Sequence, residues 1–209
     1  MNNKNSKEGV LFVVSAPSGA GKTSLCRELI DSIPDLRQSI SFTTRNIRDG
    51  EQDGVDYFFT QTDSFQRMIA EQLLAEYAEV HGNYYGTSLE TLNTAEAEGV
   101  DLLLDIDCQG AAQLKKNYRR GVFIFILPPD FAELKKRLYN RGTDHEDVIQ
   151  RRLENAEQEL LQAPWYDYLV INDDFQSAKK KLMAIITAER CRMSRTTYLL
   201  NNFTVKGDK

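Results

Sequence analysis

The chain has 209 residues, of which 41% are hydrophobic and 27% charged, and its formal net charge at pH 7 is −5. A chain of this length suits one domain, or one domain that carries an insertion, and it can bury a sizeable core. The acidic balance argues against a general binder of nucleic acids or membrane surfaces, and no apolar run approaches the roughly twenty residues that a membrane helix needs.

The polar residues 1–9 show no signal-peptide pattern, and we expect them to form a disordered leader. The three cysteines, Cys26, Cys108 and Cys191, are odd in number and lack metal or redox spacing. Such thiols are typical of a reduced compartment, so a cytoplasmic location is predicted.

An apolar run at 10–14 leads into a loop of small residues, then into Lys22 and Thr23, and then into apolar residues at helical spacing. This order predicts a strand, a phosphate-binding loop and a helix, because glycines let backbone N–H groups point inward and the helix dipole adds positive charge. Lys22 would reach the terminal phosphates of a nucleotide, and the Thr23 hydroxyl would bind Mg²⁺. The usual motif begins with glycine, whereas this chain has Ala16 at that position. The alternative to a phosphate-binding loop is a glycine-rich turn that binds no ligand.

Four short strands are predicted in the next segment, over 37–42, 57–59, 76–80 and 83–87. Asp63 or Ser64 is expected to cap a helix between the second and the third of them. The last two strands surround a turn at His81–Gly82. Together these elements predict a small β-rich insertion over 41–89.

Strands and helices alternate along the remaining chain. Helices are predicted over 88–98, 110–116, 130–140, 146–162 and 175–194, and strands over 102–107, 122–127 and 168–171. This alternation predicts an α/β core in which helices flank a parallel sheet.

Charge is distributed unevenly, since Asp49 to Asp107 holds fourteen acidic residues and one basic residue, whereas Lys115 to Arg152 holds ten of the 26 lysines and arginines. Such runs usually form solvated surfaces.

Asp105 ends a buried strand, at the edge of a parallel sheet where ligands bind. A carboxylate there can hold Mg²⁺ beside phosphates bound by the loop.

Arg45 and Arg48 lie directly before the acidic segment, with hydroxyl groups nearby in the sequence. Two guanidinium groups suit a phosphate dianion, because each offers bidentate, charge-assisted hydrogen bonds. The alternative is that both are surface partners of the local acidic residues.

Six short motifs, in matching order over about residues 10 to 195, closely resemble guanylate kinase. They are Ala16-Pro-Ser-Gly-Ala-Gly-Lys22, Ser41-x-Thr-Thr-Arg45-x-x-Arg48, Gly54-x-Asp56-Tyr57, Gly82-Asn-Tyr-Tyr-Gly86, Leu104-Asp-Ile-Asp-x-Gln-Gly110 and Arg141-Gly142. The resemblance implies a P-loop NTPase core of parallel sheet and helices with a β-rich GMP-binding insertion and a helical lid. The expected segments are 10–40, 90–128 and 163–195 for the core, 41–89 for the GMP-binding domain, 129–162 for the lid and 196–209 for a C-terminal tail.

The resemblance also implies which residues bind GMP. Its phosphate would be gripped by Ser41, Arg45, Arg48, Tyr57 and Tyr85, and its guanine read by Glu76, Thr87 and Asp107. Guanine presents adjacent N–H donors that an acceptor-only carboxylate fits, whereas adenine would leave buried acceptors unpaired.

For the donor side, the resemblance implies an ATP site and a catalytic set. ATP would be bound by Ala16, Pro17, Ser18, Gly19, Ala20, Gly21, Lys22, Thr23 and Ser24, with Asn172 near adenine, and Mg²⁺ by Thr23 and Asp105. The implied catalytic residues are Lys22, Arg45, Arg137, Arg141 and Arg152, of which the last three lie on the lid and would close over the phosphates.

The expected reaction is the reversible, Mg²⁺-dependent transfer of the γ-phosphoryl group of ATP to GMP or dGMP, which gives ADP and GDP or dGDP. The acceptor phosphate is already ionised near pH 7, so no general base is needed, and neither His81 nor His145 is expected to be catalytic. One alternative is a guanylate-kinase-like module that binds protein partners without catalysis. Another is a related P-loop kinase with a different phosphorylated acceptor.

ATP and GMP or dGMP are the expected partners, with no nucleic acid and no membrane, and a homo-oligomer remains open. Arg190, Arg192 and Arg195, at the end of the last predicted helix, are interpreted as a solvated face.

Overall fold

The computed structural model describes residues 9–80, 82–118, 121–140 and 146–203. The predicted leader, apart from Gly9, lies outside the described residues. So do the two histidines expected to be non-catalytic, His81 and His145, and the lid arginine Arg141.

Strands and helices follow one another in the predicted order. The strands are β1 (Leu11–Ser15), β2 (Leu36–Gln38), β3 (Phe42–Thr43), β4 (Phe58–Phe59), β5 (Leu74–Val80), β6 (Asn83–Ser88), β7 (Asp101–Asp105), β8 (Val122–Leu127) and β9 (Tyr168–Ile171). The α-helices are α1 (Lys22–Ser32), α2 (Thr62–Ala70), α3 (Leu89–Glu98), α4 (Cys108–Asn117), α5 (Phe131–Tyr139), α6 (Glu146–Leu160), α7 (Phe175–Arg190) and α8 (Met193–Thr196), and 3₁₀ turns cover Ala163–Trp165 and Thr197–Phe203. In the described ranges, no helix combines the length and the apolar character needed to cross a membrane.

The larger sheet is parallel, with five strands in the order β2-β7-β1-β8-β9. Every residue of the central strand β1 is buried, because helices cover both faces of the sheet. Alternate side chains point to opposite faces: Phe12 packs with Leu29 of α1 and Leu182 of α7, whereas Val13 belongs to the cluster that includes Leu114 of α4. The predicted α/β fold, a parallel sheet flanked by helices, is confirmed.

The smaller sheet has four strands in the order β4-β3-β6-β5. β6 runs antiparallel to both neighbours, so Tyr85 pairs with Thr43 on one side and Thr87 pairs with Glu76 on the other. The predicted β-rich character of the insertion is thus confirmed, and its strands bring residues far apart in sequence side by side.

The single strand predicted over 37–42 is wrong, because this stretch is divided between the two sheets. β2 ends at Gln38, and the next backbone N–H, that of Ser39, still donates to Leu103 in the larger sheet. The Ser41 carbonyl already accepts from Phe58 in the smaller sheet. The chain therefore passes from one sheet to the other at residues 39–41.

Two helix ends also differ from the prediction. α2 begins at Thr62 after Gln61, so neither Asp63 nor Ser64 is its N-cap. Asp63 lies in the first turn instead, where a carboxylate is favoured by the helix dipole. α7 ends at Arg190 rather than at residue 194, because the backbone of Arg192 is extended and the chain then starts α8.

The interpretation of three C-terminal arginines as a solvated face is wrong for Arg190 and Arg195, which are largely covered, whereas Arg192 is exposed. Arg190 Nε lies 2.6 Å from the carboxylate of Asp101, which is fully buried. Arg192 and Arg195 both face the buried carboxylate of Glu189, with Arg195 at 3.6 Å. Because a buried carboxylate needs a partner, these arginines tie the end of α7 to the sheet and to the following turn.

Candidate nucleotide-binding site

The loop between β1 and α1 turns at two glycines. Gly19 and Gly21 have φ angles of 93° and 88°, a region that favours glycine, and Ala20 N–H donates to the Pro17 carbonyl at 3.1 Å. Ala16 is buried below the turn. Gly19 and Gly21 thus form the turn, although the first position of the motif is Ala16.

The remaining loop residues occupy two environments. Pro17 is buried and Ser18 half-buried, whereas Thr23 and Ser24 are exposed at the start of α1. Gly19 also packs against α5, since a Cβ on Gly19 would lie 3.1 Å from the Leu138 side chain of that helix. The loop is therefore shaped from one side by β1 and from the other by α5.

Lys22 is held where β1 and β7 end side by side. Its Nζ lies 2.6 Å from the Asp105 carboxylate and donates to the Ile106 carbonyl at 2.7 Å. Burial lowers the pKa of Lys22, but the charge and hydrogen bond of Asp105 outweigh burial and leave the pKa above its ordinary value. Lys22 is thus a fully charged group at the edge of the sheet.

Asn172, predicted near adenine, is buried directly after β9, and its side chain contacts the loop. Its Nδ2 donates to the Ala20 carbonyl at 2.7 Å. The approach is so close that a Cβ on Gly21 would lie 2.6 Å from this nitrogen. The Asn172 backbone carbonyl accepts from Arg137 at 3.0 Å, so one residue links the loop to α5, which lies in the segment predicted to be a lid.

One cavity of about 210 Å³ brings together residues predicted for both substrates and for the metal. Its lining includes Lys22, Thr23, Ser41, Tyr57, Glu76, Tyr85, Asp105 and Asp107. These residues come from the start of α1, from the end of β7 and the N-cap of α4, and from the smaller sheet and the residues that directly precede β3 and β4. The fold therefore joins the phosphate-binding loop and the insertion into a single site.

Glu76 and Thr87 form a buried pair across β5 and β6. The Thr87 hydroxyl donates to Glu76 Oε1 at 2.6 Å. Burial, opposed by the Thr87 hydrogen bond, raises the pKa of Glu76 to about 7. Asp107 lies on the same cavity and caps α4 by accepting from the Gly110 N–H at 2.8 Å.

Arg45 lies beside this cavity and is engaged with a residue that the sequence analysis missed. Its Nη2 lies 2.7 Å from Glu51, and its guanidinium carbon lies 5.4 Å from the centre of the Tyr57 ring. The Glu51 hydrogen bond raises the pKa of Arg45, and that of Glu51 is lowered. Arg48 is exposed and donates its backbone N–H to Glu51. No sequence motif marks Glu51, because its contact with Arg45 depends on how the loop folds.

The lid arginines occupy different surroundings. Arg137 Nε donates to Glu133 at 2.9 Å, a partner that the four-residue spacing on one helix could have indicated. Arg152 is half-buried and lines a second cavity, of about 520 Å³, with Asp107 and Glu159. Burial raises the pKa of Glu159 to about 7. The structure thus adds Glu133 as the partner of Arg137, and Glu159 as a second acidic group in the larger cavity.

Thr23 and Asp105 fit a magnesium ion that arrives with a nucleotide. Both line the smaller cavity, and hydroxyl and carboxylate oxygens are ligands that Mg²⁺ accepts. Among the described residues, no group of three or more His, Cys, Asp or Glu could hold a metal. Mg²⁺ commonly keeps waters and binds substrate phosphates beside one or two protein ligands, so two residues suffice.

The chain is similar to proteins of one family over most of its length. The family model described as guanylate kinase matches residues 8–189. Guanylate kinases from Syntrophotalea carbinolica and Geobacter sulfurreducens are 59% and 55% identical to it over 90% of the chain, covering 90% and 93% of the respective relatives. The crystal structure of guanylate kinase from Anaplasma phagocytophilum superposes with a TM-score of 0.77 at 31% identity, covering 96% of this chain and 98% of that one.

Proposed function

The chain belongs to the guanylate kinase family and is an ATP:GMP phosphotransferase, and we propose that the residues described above carry out this transfer. The observation that supports this assignment of residues is the shared cavity, in which Lys22 and Asp105 lie with Glu76 and Asp107. We call residues 16–24 the donor loop, and Ser41, Tyr57, Glu76, Tyr85 and Asp107 the acceptor pocket.

The donor loop binds the phosphates of ATP in this proposal. Backbone N–H groups around Gly19 and Gly21 face the phosphates, and Lys22 neutralises charge on the transferred group. Mg²⁺, held by Thr23 and Asp105, neutralises further charge on the phosphate oxygens when it is bound. Asn172 contributes by fixing the loop through Ala20 rather than by contacting adenine.

The acceptor pocket binds GMP or dGMP. Arg45 and Arg48 bind its phosphate dianion with Ser41, Tyr57 and Tyr85. Glu76, supported by Thr87, and Asp107 accept the N–H donors of guanine. A base without those donors would leave a buried acceptor unpaired, which is a strong basis for selection.

Alignment and electrostatics supply the catalysis, since the acceptor phosphate is itself the nucleophile and is largely ionised at pH 7. Arg137, Arg141 and Arg152 close over the phosphates from the lid, segment 129–162. The core comprises 10–40, 90–128 and 163–195, the GMP-binding domain 41–89, the leader 1–9 and the tail 196–209. The enzyme is proposed to act in the cytoplasm, without nucleic-acid or membrane partners.

An assay of ADP release with GMP, dGMP, AMP, CMP and UMP as separate acceptors tests the proposal. We expect turnover with GMP and dGMP and very little with the other three nucleotides. Folding is checked in parallel by thermal denaturation. A folded protein that transfers phosphate equally well to AMP would contradict the assigned acceptor pocket, and no transfer to GMP would favour a non-catalytic module.

A further inference from the structure

Gly110 occupies the first turn of α4, where the backbone gives no reason for glycine. The residue is helical and buried, and glycine is a poor helix former compared with alanine. The important property of residue 110 is therefore its missing side chain rather than its backbone flexibility.

The space beside Gly110 is filled by a carboxylate. A Cβ at this position would lie 2.2 Å from Oε2 and 3.0 Å from Cδ of Glu76, and 3.3 Å from Oδ1 of Asp107. The nearest atoms thus belong to two side chains of the acceptor pocket. The other oxygen of Glu76 accepts from Thr87, so the carboxylate is held between β6 and α4.

Gly86 shows what a purely structural glycine looks like in the same region. A Cβ there would lie 2.9 Å from the backbone carbonyl of Glu76 and 3.0 Å from the Phe65 ring. Backbone and packed aromatic atoms cannot move without disturbing the smaller sheet. Gly110, by contrast, faces the far end of a flexible side chain that borders an open cavity.

We propose that Gly110 is a positioning residue for acceptor specificity, because its missing side chain lets the Glu76 carboxylate lie against α4 in the orientation that reads guanine. This inference rests on the proposed role of Glu76. Any Cβ at residue 110 displaces the carboxylate into the cavity, where it obstructs the base of the acceptor. The fold tolerates the change, because the displaced atoms have room to move.

Gly110→Ala tests the inference directly. We expect the KM for GMP to rise about tenfold or more while the KM for ATP stays within about twofold. The melting temperature should not fall, because alanine favours the helix. Lys116→Ala, an exposed position of the same helix, is the matched control and should change neither KM.

A double-mutant cycle with Glu76→Asp separates positioning from general damage. Aspartate is one methylene shorter and leaves room for the new Cβ, so the double variant should lose markedly less GMP affinity than the product of the two single losses. If the loss of GMP affinity in the double variant equals the product of the two single losses, the inference is overturned. A KM for GMP in Gly110→Ala that stays within about twofold of the parent would also overturn it. Unfolding of both Gly110→Ala and the double variant would also overturn it.

The same series distinguishes a failure of the underlying function. If Glu76→Gln leaves GMP binding unchanged, the assignment of Glu76 itself is wrong. If Glu76→Gln weakens GMP binding and Gly110→Ala does not, only the role of Gly110 is wrong.

Discussion

The donor loop and the acceptor pocket line one cavity but hold their charged groups differently. In the donor loop, Lys22 is paired with Asp105 at 2.6 Å, and the backbone is fixed by Asn172. In the acceptor pocket, the buried Glu76 is bonded to a hydroxyl group and faces a second carboxylate, Asp107. In the donor loop the charge of Lys22 is thus already paired before substrate binds. In the acceptor pocket the ionisation of Glu76 must change when GMP binds.

This difference separates two tasks. Phosphates are similar in all nucleoside triphosphates, so a loop of fixed backbone and one lysine can bind them without identifying a base. Guanine is identified by a buried acceptor, which is costly when it is unpaired and therefore rejects a base without matching donors. Substitutions that affect one half and spare the other break or sharpen the comparison.

Lys22→Ala should have the largest effect, a loss of turnover of about 10³-fold or more, because the transferred group loses its fixed positive charge. Binding of GMP should be largely retained. Lys179→Ala is the matched control, since the Lys179 side chain is as little exposed as that of Lys22 and lies 2.7 Å from the carboxylate of Glu28. Steady-state kinetics of both variants, with thermal denaturation, checks the prediction; equal losses of turnover would contradict it.

Asn172→Ala should have a smaller effect, confined to the donor half. Removal of the amide leaves the buried Ala20 carbonyl without this donor, and we expect the KM for ATP to rise about tenfold, with the KM for GMP little changed. Gln113→Ala, which removes exposed hydrogen bonds to the Tyr77 backbone away from the loop, is the control and should leave the KM for ATP unchanged. An unchanged KM for ATP in Asn172→Ala would show that the loop holds its shape without this residue.

The smallest predicted effect is a proton released when GMP binds. Burial raises the pKa of Glu76 to about 7, so the group is about half protonated at pH 7. Guanine donors favour the ionised form, so binding should release about half a proton at pH 7, and GMP affinity should weaken as the pH falls below 7.

The release is measured from the dependence of the GMP binding enthalpy on the ionisation enthalpy of the buffer. The phosphate of GMP, whose pKa is about 6, adds a minor contribution at pH 7. Glu76→Gln should reduce the release to that remainder. A release that persists in Glu76→Gln would assign the proton to another group.

The donor loop was predictable because its residues are contiguous and their chemistry depends on local turns. Asp105 was also predictable, since an apolar run that ends in a carboxylate marks the ligand-binding edge of a parallel sheet. The partners Glu51 and Glu133 were not identified, and neither was the pairing of Arg190 with Asp101, 89 residues away in sequence. The pairing of Arg190 depends on how distant elements pack, which no local pattern encodes, whereas Glu133 and Glu51 lie only four and six residues from their arginine partners.

The same limit explains the errors in the secondary structure. The apolar and polar pattern over 37–42 is compatible with one strand. In the structure, β2 ends at Gln38 in the larger sheet and β3 begins at Phe42 in the smaller sheet. The final helix was predicted to extend too far, and around its end Arg190 pairs with Asp101 of the sheet while Arg195 turns back to Glu189. Tertiary contacts decided both outcomes.

The most direct test of the two-half account is the separate binding of ATP and of GMP to Lys22→Ala and Glu76→Gln by calorimetry. Lys22→Ala should lose at least about tenfold in ATP affinity with GMP affinity within about twofold of the parent. Glu76→Gln should show the reverse. Loss of both ligands in either folded variant would contradict the separation of donor loop and acceptor pocket.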